Sequence, residues 1–300
     1  MTVAIVTGAN GFLGRHVCAE FVSRGIQVHA VVRDSAVLPA DVTRVSCPDP
    51  LSSNQVGAAL RMVQPEVIYH IAGTAMAAQL PDLYEANLFY AVNLLEGALL
   101  LQRRPKIVLI GSAAEYGLQQ PALTRIIETA VCRPRTAYGI VKLAQTLHGL
   151  LALDNGLKVL VARVFNPLGV GMPETTAFGN FIKQIRALGP GGGVLKTGAL
   201  LDVRDFLDVK EVARLLAELA GCERAVGIVN VCTGTGHSVG ELLDILLSVI
   251  SRPIVHELDR SRRGLSDVGV AIGDPSLLES FGMVVRPPEF RAIFRAMVHA

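Results

Sequence analysis

Short apolar runs rich in β-branched residues alternate along this chain with longer stretches that carry apolar residues at helical spacing. The runs are Val3–Thr7, Val28–Val32, Val67–Ile71, Ile107–Ile110, Val159–Val164 and Ile228–Val231. The helical stretches are about Phe12–Arg24, Ser53–Met62, Pro81–Arg103, Thr136–Asn155 and Val209–Leu219. Strands that are apolar at every position are typical of sheets covered on both faces, so this order predicts a doubly wound α/β fold with a parallel sheet.

The regular alternation ends after Phe165, where the chain becomes richer in glycine and proline, for example at Pro167, Pro173 and Gly191–Gly193. We therefore expect residues 1–165 to form the sheet domain, with a returning strand near 226–232. Residues 166–300 are expected to form mainly a smaller α/β lobe. A chain of 300 residues can bury a large core in such a body.

Composition argues against several classes of protein. Hydrophobic residues make up 51% of the chain and the mean hydropathy is +0.44, but the apolar stretches are broken or far shorter than the roughly 20 residues of a membrane helix. The N-terminus lacks the pattern of a secretory signal, so a cytoplasmic protein is expected. A net charge of +2 argues against nucleic acid as a partner.

Metal and disulfide sites are not expected either. The five cysteines and seven histidines lack ligand spacing, which predicts no metal site and free thiols. A short basic cluster, Arg260, Arg262 and Arg263, suits a local anion site.

The segment Gly8–Gly14 lies between the first apolar run and the first helical stretch and has glycine at its first, fourth and seventh positions. Glycine allows a sharp turn and a close approach of backbone to phosphate, and the N-terminus of the next helix attracts anions. This predicts a Rossmann-type dinucleotide site with contacts from Gly8, Asn10, Gly11, Phe12, Leu13 and Gly14. The alternative is a tight turn without a ligand.

The end of the second run, Val32-Arg33-Asp34, bears on the choice of cofactor. An acidic residue here is typical of NAD sites, whereas arginine accommodates the 2′-phosphate of NADP. Arg33 therefore favours NADP(H), while Asp34 leaves NAD(H) possible if the turn is one residue longer. A solvated charge at the strand end is the alternative for Arg33.

Tyr138 and Lys142 are four residues apart and so lie on one face of a helix. A nearby ammonium is expected to lower the pKa of the phenol, so that Tyr138 can exchange a proton near neutral pH. Ser112 follows a buried run and is therefore expected at the carboxyl edge of the sheet, where its hydroxyl could bind a substrate oxygen. Ser112, Tyr138 and Lys142 are the predicted catalytic residues; a plain helix face is the alternative for the Tyr–Lys pair.

With these motifs in order, the chain resembles the extended short-chain dehydrogenase/reductase family, which includes nucleotide-sugar epimerases, dehydratases and reductases. The stretches that carry the resemblance are Thr7–Gly14, His70–Gly73, Asn87, Asn93–Glu96, Gly111–Gly117, Tyr138–Lys142, Arg163–Pro167, Arg204–Val209 and Asn230–Cys232. Within the family the likeness is greatest to reductases that act on GDP-4-keto-6-deoxymannose.

The resemblance implies further site residues. Ala72, Gly73 and Asn87, together with Tyr138 and Lys142, would contact the cofactor. Ser112, Asn166, Lys183, Arg204 and Arg263 would contact the substrate, with Arg204 on the diphosphate and an arginine of the 262–263 pair on the second phosphate. From the residues alone, Arg204 could instead form an ion pair with Asp205 or Asp208, and Asn166 could be a turn residue before Pro167.

The sequence departs from the sugar dehydratases of that family, which place an acid and a base directly after the catalytic hydroxyl. This chain has Ala113 and Ala114 there, so elimination is disfavoured. The predicted function is NADPH-dependent reduction of a nucleotide-linked 4-keto-6-deoxy sugar. The alternatives are an NAD-dependent nucleotide-sugar epimerase and, from another class, a non-catalytic regulator that senses NADP(H).

Two of the helical stretches, Pro81–Arg103 and Thr136–Asn155, carry wide apolar faces. In the family that the chain resembles, the corresponding helices pair across a two-fold axis as a four-helix bundle. A homodimer is therefore expected.

Overall fold

The computed structural model describes residues 2–32, 36–117, 125–259 and 269–300, and every element named below lies in these ranges. The strands are β1 (Val3–Thr7), β2 (Gln27–Val32), β3 (Thr43–Ser46), β4 (Val67–His70), β5 (Lys106–Ser112), β6 (Lys158–Val164), β7 (Asn166–Leu168), β8 (Gly193–Thr197), β9 (Val203–Asp208), β10 (Gly227–Val231), β11 (Gly236–Ser238), β12 (Ile254–Leu258) and β13 (Val270–Ala271). The α-helices are α1 (Phe12–Ser23), α2 (Ser53–Val63), α3 (Leu80–Tyr84), α4 (Tyr90–Leu99), α5 (Ala137–Asp154), α6 (Ala177–Ala187), α7 (Val209–Gly221), α8 (Val239–Ser248), α9 (Ser276–Ser280) and α10 (Phe290–His299). A π-helical turn, Glu85–Phe89, joins α3 to α4, and a 3-10 turn, Ala113–Glu115, follows β5.

In the described ranges, seven strands form one parallel sheet in the order β10-β6-β5-β4-β1-β2-β3. The chain runs outward from β1 through β2 to β3. It then crosses back to place β4 on the other side of β1 and continues through β5 and β6 to β10. The strand order therefore reverses between β1 and β4, and open α/β sheets bind ligands at the carboxyl ends of the strands at such a point.

Helices cover both faces of this sheet, which is why its strands are apolar at successive positions. Val6 packs in the core beneath α1 and α7, whereas its neighbour Ile5 packs in the core beneath α2, α4 and α5. Both side chains are fully buried. The predicted doubly wound α/β fold of Rossmann type is confirmed.

Two elements differ from the prediction. Strand β3 was not predicted, because it is an edge strand in which Val45 is the one buried residue, so it has no apolar run to detect. The predicted helix Pro81–Arg103 is divided into α3, the π-helical turn and α4, and it ends at Leu99. The periodicity of apolar residues along the sequence cannot reveal a single π-helical turn within a longer helix.

The chain after β6 builds a smaller layered body and also returns to the main sheet. Strands β7, β9, β11 and β13 form a second sheet, β8 pairs with β12, and α6, α8 and α10 surround a third core. In that core the ring of Phe178 contacts the rings of Phe181, Phe206 and Phe294. Strand β10 lies beside β6, and α7 packs on α1. Across the described ranges, the helices are too short or too polar to span a bilayer.

Candidate active site

The glycine turn between β1 and α1 is closed by the Gly11 N–H, which donates to the Gly8 carbonyl at 2.9 Å. Gly8 has a φ of +69°, and a Cβ there would lie 2.7 Å from the backbone nitrogen of Ala72. A Cβ at Gly14 would lie 2.0 Å from the Gly8 carbonyl oxygen. Only glycine fits at these two positions, because the turn, the first helix and the loop after β4 are in direct backbone contact.

The N-terminus of α1 is suited to an anionic group. Gly11 is the N-cap residue, no described side chain caps the helix, and its first turn holds no acidic residue. The first N–H groups and the positive end of the helix dipole are therefore left for a ligand. Arg15 adds a positive charge beside the turn, where its guanidinium donates to the carbonyls of Gly11 and Asn10, both at 3.3 Å. This cradle fits the diphosphate of a dinucleotide.

The loop after β4 forms the other wall of the crevice. The Ala72 N–H donates to the Thr7 hydroxyl at 3.2 Å, which ties the loop to the end of β1. Asn87 is buried, and its Nδ2 donates to the carbonyls of Thr74 and Leu83 while its Oδ1 accepts from the Thr74 N–H. Both amide protons of Asn87 are thus used by the protein itself. Asn87 therefore stabilises the conformation of the loop after β4.

Ser112 ends β5 at the carboxyl edge of the sheet and caps the 3-10 turn that follows. Its hydroxyl accepts from the Ala114 N–H at 3.2 Å, and its own N–H donates to Glu115 Oε1 at 2.8 Å. Glu115 is fully buried, and its Oε2 accepts from Arg163 Nε and from the Thr146 hydroxyl, each at 2.8 Å. The serine turn is therefore fixed to β6 and to α5.

Helix α5 brings Tyr138 to Ser112. The Thr136 hydroxyl caps the helix by accepting from the Gly139 N–H at 3.0 Å. A Cβ at Gly139 would lie 2.4 Å from the Ala114 carbonyl oxygen, so the absence of a side chain lets α5 lie against the serine turn. The Tyr138 phenol lies close enough to the Ser112 side chain for the serine to lower its pKa. A hydroxyl and a phenol thus meet at the carboxyl edge of β5.

Lys142 lies one helical turn after Tyr138 and is 4% exposed. Its ammonium donates to Oε1 of Gln145. Burial lowers the pKa of Lys142 to about 8, while the charge of Glu115 acts to raise it. Burial raises the pKa of Tyr138, the neighbouring Ser112 side chain lowers it, and the charge of Glu115 raises it.

The expectation that the lysine lowers the pKa of the phenol is wrong for this structure. The pKa of Tyr138 is shifted upward because burial penalises the phenolate more than its surroundings stabilise it. Lys142 directs its ammonium to Gln145 instead. Tyr138 is therefore protonated at neutral pH, which is the state of a proton donor.

Three predicted substrate residues lie in the smaller body. Asn166 is half-buried, and its Nδ2 donates to the Asp205 carbonyl at 2.8 Å, which connects β7 to β9. Lys183 forms an exposed ion pair with Glu174 at 2.7 Å. Arg204 lies on β9, where its side chain is 25% exposed.

The alternative ion pairs considered for Arg204 are wrong. Its guanidinium lies 3.3 Å from the carboxylate of Asp202 and donates to the carbonyls of Val203 and Gly269. Asp205 accepts instead from the Thr233 N–H and hydroxyl and from two glycine N–H groups, and Asp208 caps α7. Neighbours in a strand point to opposite faces, so Arg204 and Asp205 diverge.

Two predicted positions lie outside the described residues. They are Arg33, with Asp34 beside it, and the 262–263 arginine pair that includes Arg263. Their proposed contacts with the cofactor phosphate and the substrate phosphate stay predictions.

Sequence reasoning overlooked Gly139, Gln145 and the long-range contacts of Glu115. A signal existed for Glu115, because a serine followed three residues later by glutamate is the spacing of a capping box. A signal also existed for Gly139, which directly follows the catalytic tyrosine candidate. The partners of Gln145 carry no local signature.

A turn suited to an anion where the strand order of a parallel sheet reverses, together with a phenol close to a hydroxyl at the same edge of the sheet, is typical of the class of dinucleotide-dependent oxidoreductases. The chain belongs to the NAD dependent epimerase/dehydratase family, whose model matches residues 4–232. Its relatives include a GDP-6-deoxy-D-mannose reductase, a dTDP-6-deoxy-L-talose 4-dehydrogenase that uses NAD(P) and a UDP-glucose 4-epimerase. This protein is accordingly an NAD(P)-dependent enzyme of that family.

Individual relatives span nearly the whole chain. The GDP-6-deoxy-D-mannose reductase of Pseudomonas aeruginosa is 28% identical over 270 residues, which cover 86% of this chain and 84% of that protein. RMD from Pseudomonas aeruginosa, complexed with NADPH, superposes with a TM-score of 0.81 at 24% identity and covers 100% of this chain and 97% of that one. The UDP-glucose 4-epimerase of Thermus thermophilus, complexed with NAD, gives 0.82 at 24% identity and covers 99% and 98%. The two structural likenesses establish the shared fold.

Proposed function

We propose that this protein reduces the 4-keto group of a nucleotide-linked 4-keto-6-deoxy sugar with NADPH, on a substrate similar to GDP-4-keto-6-deoxymannose. The observation that carries the proposal is the packing of α5 against the turn that follows Ser112, which brings the Tyr138 phenol close to the Ser112 hydroxyl at the carboxyl edge of β5, with Lys142 one helical turn away. The likeness to a GDP-6-deoxy-D-mannose reductase supports the choice of substrate class.

The cofactor would be held by the cradle at the start of α1 and by the loop that contains Ala72 and Gly73. Bound NADPH supplies a hydride. Lys142 would hold the nicotinamide ribose through its remaining N–H groups, and Asn87 would act through the loop that it fixes. The choice of NADPH over NADH rests on Arg33 in the sequence.

The protein side chains would manage the proton of the reaction. The Ser112 hydroxyl would donate to the ketone oxygen and orient it, and the Tyr138 hydroxyl would give its proton to that oxygen as the alcohol forms. The raised pKa of Tyr138 suits a group that must hold a proton until this step. Asn166, Lys183 and Arg204 would bind the nucleotide-sugar, with the planar fork of Arg204 on the diphosphate.

Elimination of water is not proposed, because the residues that follow Ser112 are Ala113 and Ala114. Methyl side chains can neither donate nor accept a proton. Hydride transfer to a ketone needs only the serine, the tyrosine and the lysine.

A direct spectrophotometric assay tests the proposal. The protein is incubated with NADPH or NADH and with GDP-, dTDP-, CDP- and UDP-linked 4-keto-6-deoxy sugars, and the absorbance of the reduced nicotinamide is followed. We expect the wild type to oxidise NADPH with the sugars linked to one of these nucleotides. The Tyr138→Phe variant should lose this activity. If no sugar in the panel consumes either cofactor, the proposed reaction is wrong.

A nucleotide-sugar 4-epimerase is the second candidate, favoured by the likeness to UDP-glucose 4-epimerases. Such an enzyme would oxidise and re-reduce the same carbon, and so would need the same three residues and a retained NAD. Release of NAD from the purified protein on denaturation, and interconversion of UDP-sugars without net consumption of added cofactor, would favour it. The non-catalytic regulator is not proposed, because the relatives are enzymes.

We further propose a homodimer through α4 and α5. The outer face of α5 carries Ile140, Leu147 and Leu151, which are 49%, 58% and 56% exposed, and Phe89 before α4 is 49% exposed. Apolar residues in such a stripe are typical of helices that pair with another copy. Light scattering should give twice the chain mass for the wild type and the monomer mass for Leu147→Glu/Leu151→Glu; a monomeric wild type would refute the dimer.

A further inference from the structure

The ammonium of Lys142 is enclosed by protein, and Gln145 is the side-chain acceptor that the structure gives it. Lys142 is 4% exposed and Gln145 is 1% exposed. Nζ of Lys142 donates to Oε1 of Gln145, which lies one turn further along the same helix. Because an ammonium has only donors, the oxygen of the carboxamide must be the atom that faces it.

That orientation leaves the other end of the carboxamide unsatisfied. Nε2 of Gln145 is buried and has no hydrogen-bond partner among the described residues. Leaving a buried amide N–H unpaired is costly, and such groups in native proteins call for an explanation. An apolar side chain would fill this helical position without that cost. The glutamine is therefore explained by what its oxygen does for Lys142.

We propose that Gln145 is a positioning residue that fixes the ammonium of Lys142 and stabilises its charged form. The inference rests on the proposed function in one respect, namely that Lys142 serves the bound cofactor. It adds a residue that acts through the lysine, with no contact to the sugar required.

Lys142 is surrounded by groups of both kinds of charge. The titratable side chains near Lys142 are Glu115, His70 and Tyr138. Arg163 is the ion-pair partner of Glu115, and the Tyr90 ring packs against His70. Burial and the charge of Lys142 lower the pKa of His70 to about 3, so His70 is neutral and adds no second cation. Glu115 is shared with Arg163 at 2.8 Å, which leaves the neutral oxygen of Gln145 as the direct acceptor.

The sign of the effect follows from this environment. Burial already holds the pKa of Lys142 near 8. Loss of the acceptor would destabilise the ammonium further and move the loss of charge to lower pH. A carboxylate in the same place would stabilise the ammonium and move the loss of charge to higher pH.

The experiment compares Gln145→Leu and Gln145→Glu with the wild type, and uses Gln102→Leu as a matched control at an exposed position before β5. NADPH affinity is measured by calorimetry across pH, and kcat and KM are measured where the sugar assay gives turnover. In Gln145→Leu, we expect the pH above which NADPH binding and turnover decline to fall by about one unit or more. This magnitude follows from the strength of a hydrogen bond to a charged group. The same pH should rise in Gln145→Glu and stay unchanged in Gln102→Leu.

The outcomes separate the two proposals. If Gln145→Leu lowers the melting temperature but leaves the pH at which NADPH binding weakens unchanged, Gln145 is only structural and the inference is overturned. If the binding profile shifts as expected while no sugar is reduced, the inference stands and the proposed substrate is wrong. If neither NADPH nor NADH binds the wild type at any pH, both fall together.

Discussion

Removal of the Glu115 carboxylate should destabilise the whole protein. Glu115 is 0% and Arg163 is 2% exposed, and they form an ion pair at 2.8 Å. In Glu115→Ala the guanidinium of Arg163 loses its carboxylate partner, while the face of the Tyr116 ring at 4.5 Å and the Glu128 carbonyl at 3.4 Å stay beside it. Breaking one partner of a buried pair costs about 3–5 kcal/mol. That is a large part of the roughly 5–15 kcal/mol that stabilises a typical protein.

The assay is urea unfolding followed by circular dichroism, and the matched control is the double variant Glu115→Leu/Arg163→Met. Replacing both charges with apolar groups of similar size is often nearly neutral. The double variant should therefore recover the part of the loss that comes from the unpaired guanidinium, whereas the Ser112 N–H and the Thr146 hydroxyl still lack the acceptor that Glu115 gave them. If Glu115→Ala costs less than about 1 kcal/mol, or if the double variant is as unstable as the sum of its two single changes, the buried ion pair does not have the role described.

Three further predictions concern the site. Tyr138→Phe should lower kcat by about 10²–10⁴-fold, as expected for loss of a general acid, while calorimetry finds NADPH binding retained; wild-type turnover in this variant would exclude the tyrosine as proton donor. Gly14→Ala should abolish dinucleotide binding, because its Cβ would meet the Gly8 carbonyl at 2.0 Å, and unchanged affinity would show that the turn is not the cradle. For the wild type, kcat/KM for NADPH should fall as pH rises through about 8, where Lys142 loses its proton; a profile that stays flat to pH 9.5 would contradict a charged lysine in the free enzyme.

The local sequence predicted the features that depend on local patterns. Strands covered on both faces must be apolar at every position, so β1, β5 and β6 were evident. The turn with glycine at every third residue predicted the close approach of Gly8 and Gly14. The four-residue spacing of Tyr138 and Lys142 predicted that they lie on one face of α5. The edge strand β3 was not predicted because three of its four side chains are exposed to water, which removes the apolar run.

The tertiary structure decided which polar groups meet. Glu115 and Arg163 are 48 residues apart in the chain, and their pairing depends on β5 and β6 lying side by side. The carboxamide of Asn87 donates a hydrogen bond to the Thr74 carbonyl in the loop after β4. Arg204 pairs with Asp202 rather than Asp205, because adjacent side chains in a strand point to opposite faces. The pKa of Tyr138 rises because its burial outweighs the lowering effect of Ser112. Burial and long-range pairing depend on the packed arrangement of distant segments, and no spacing within one segment contains that information.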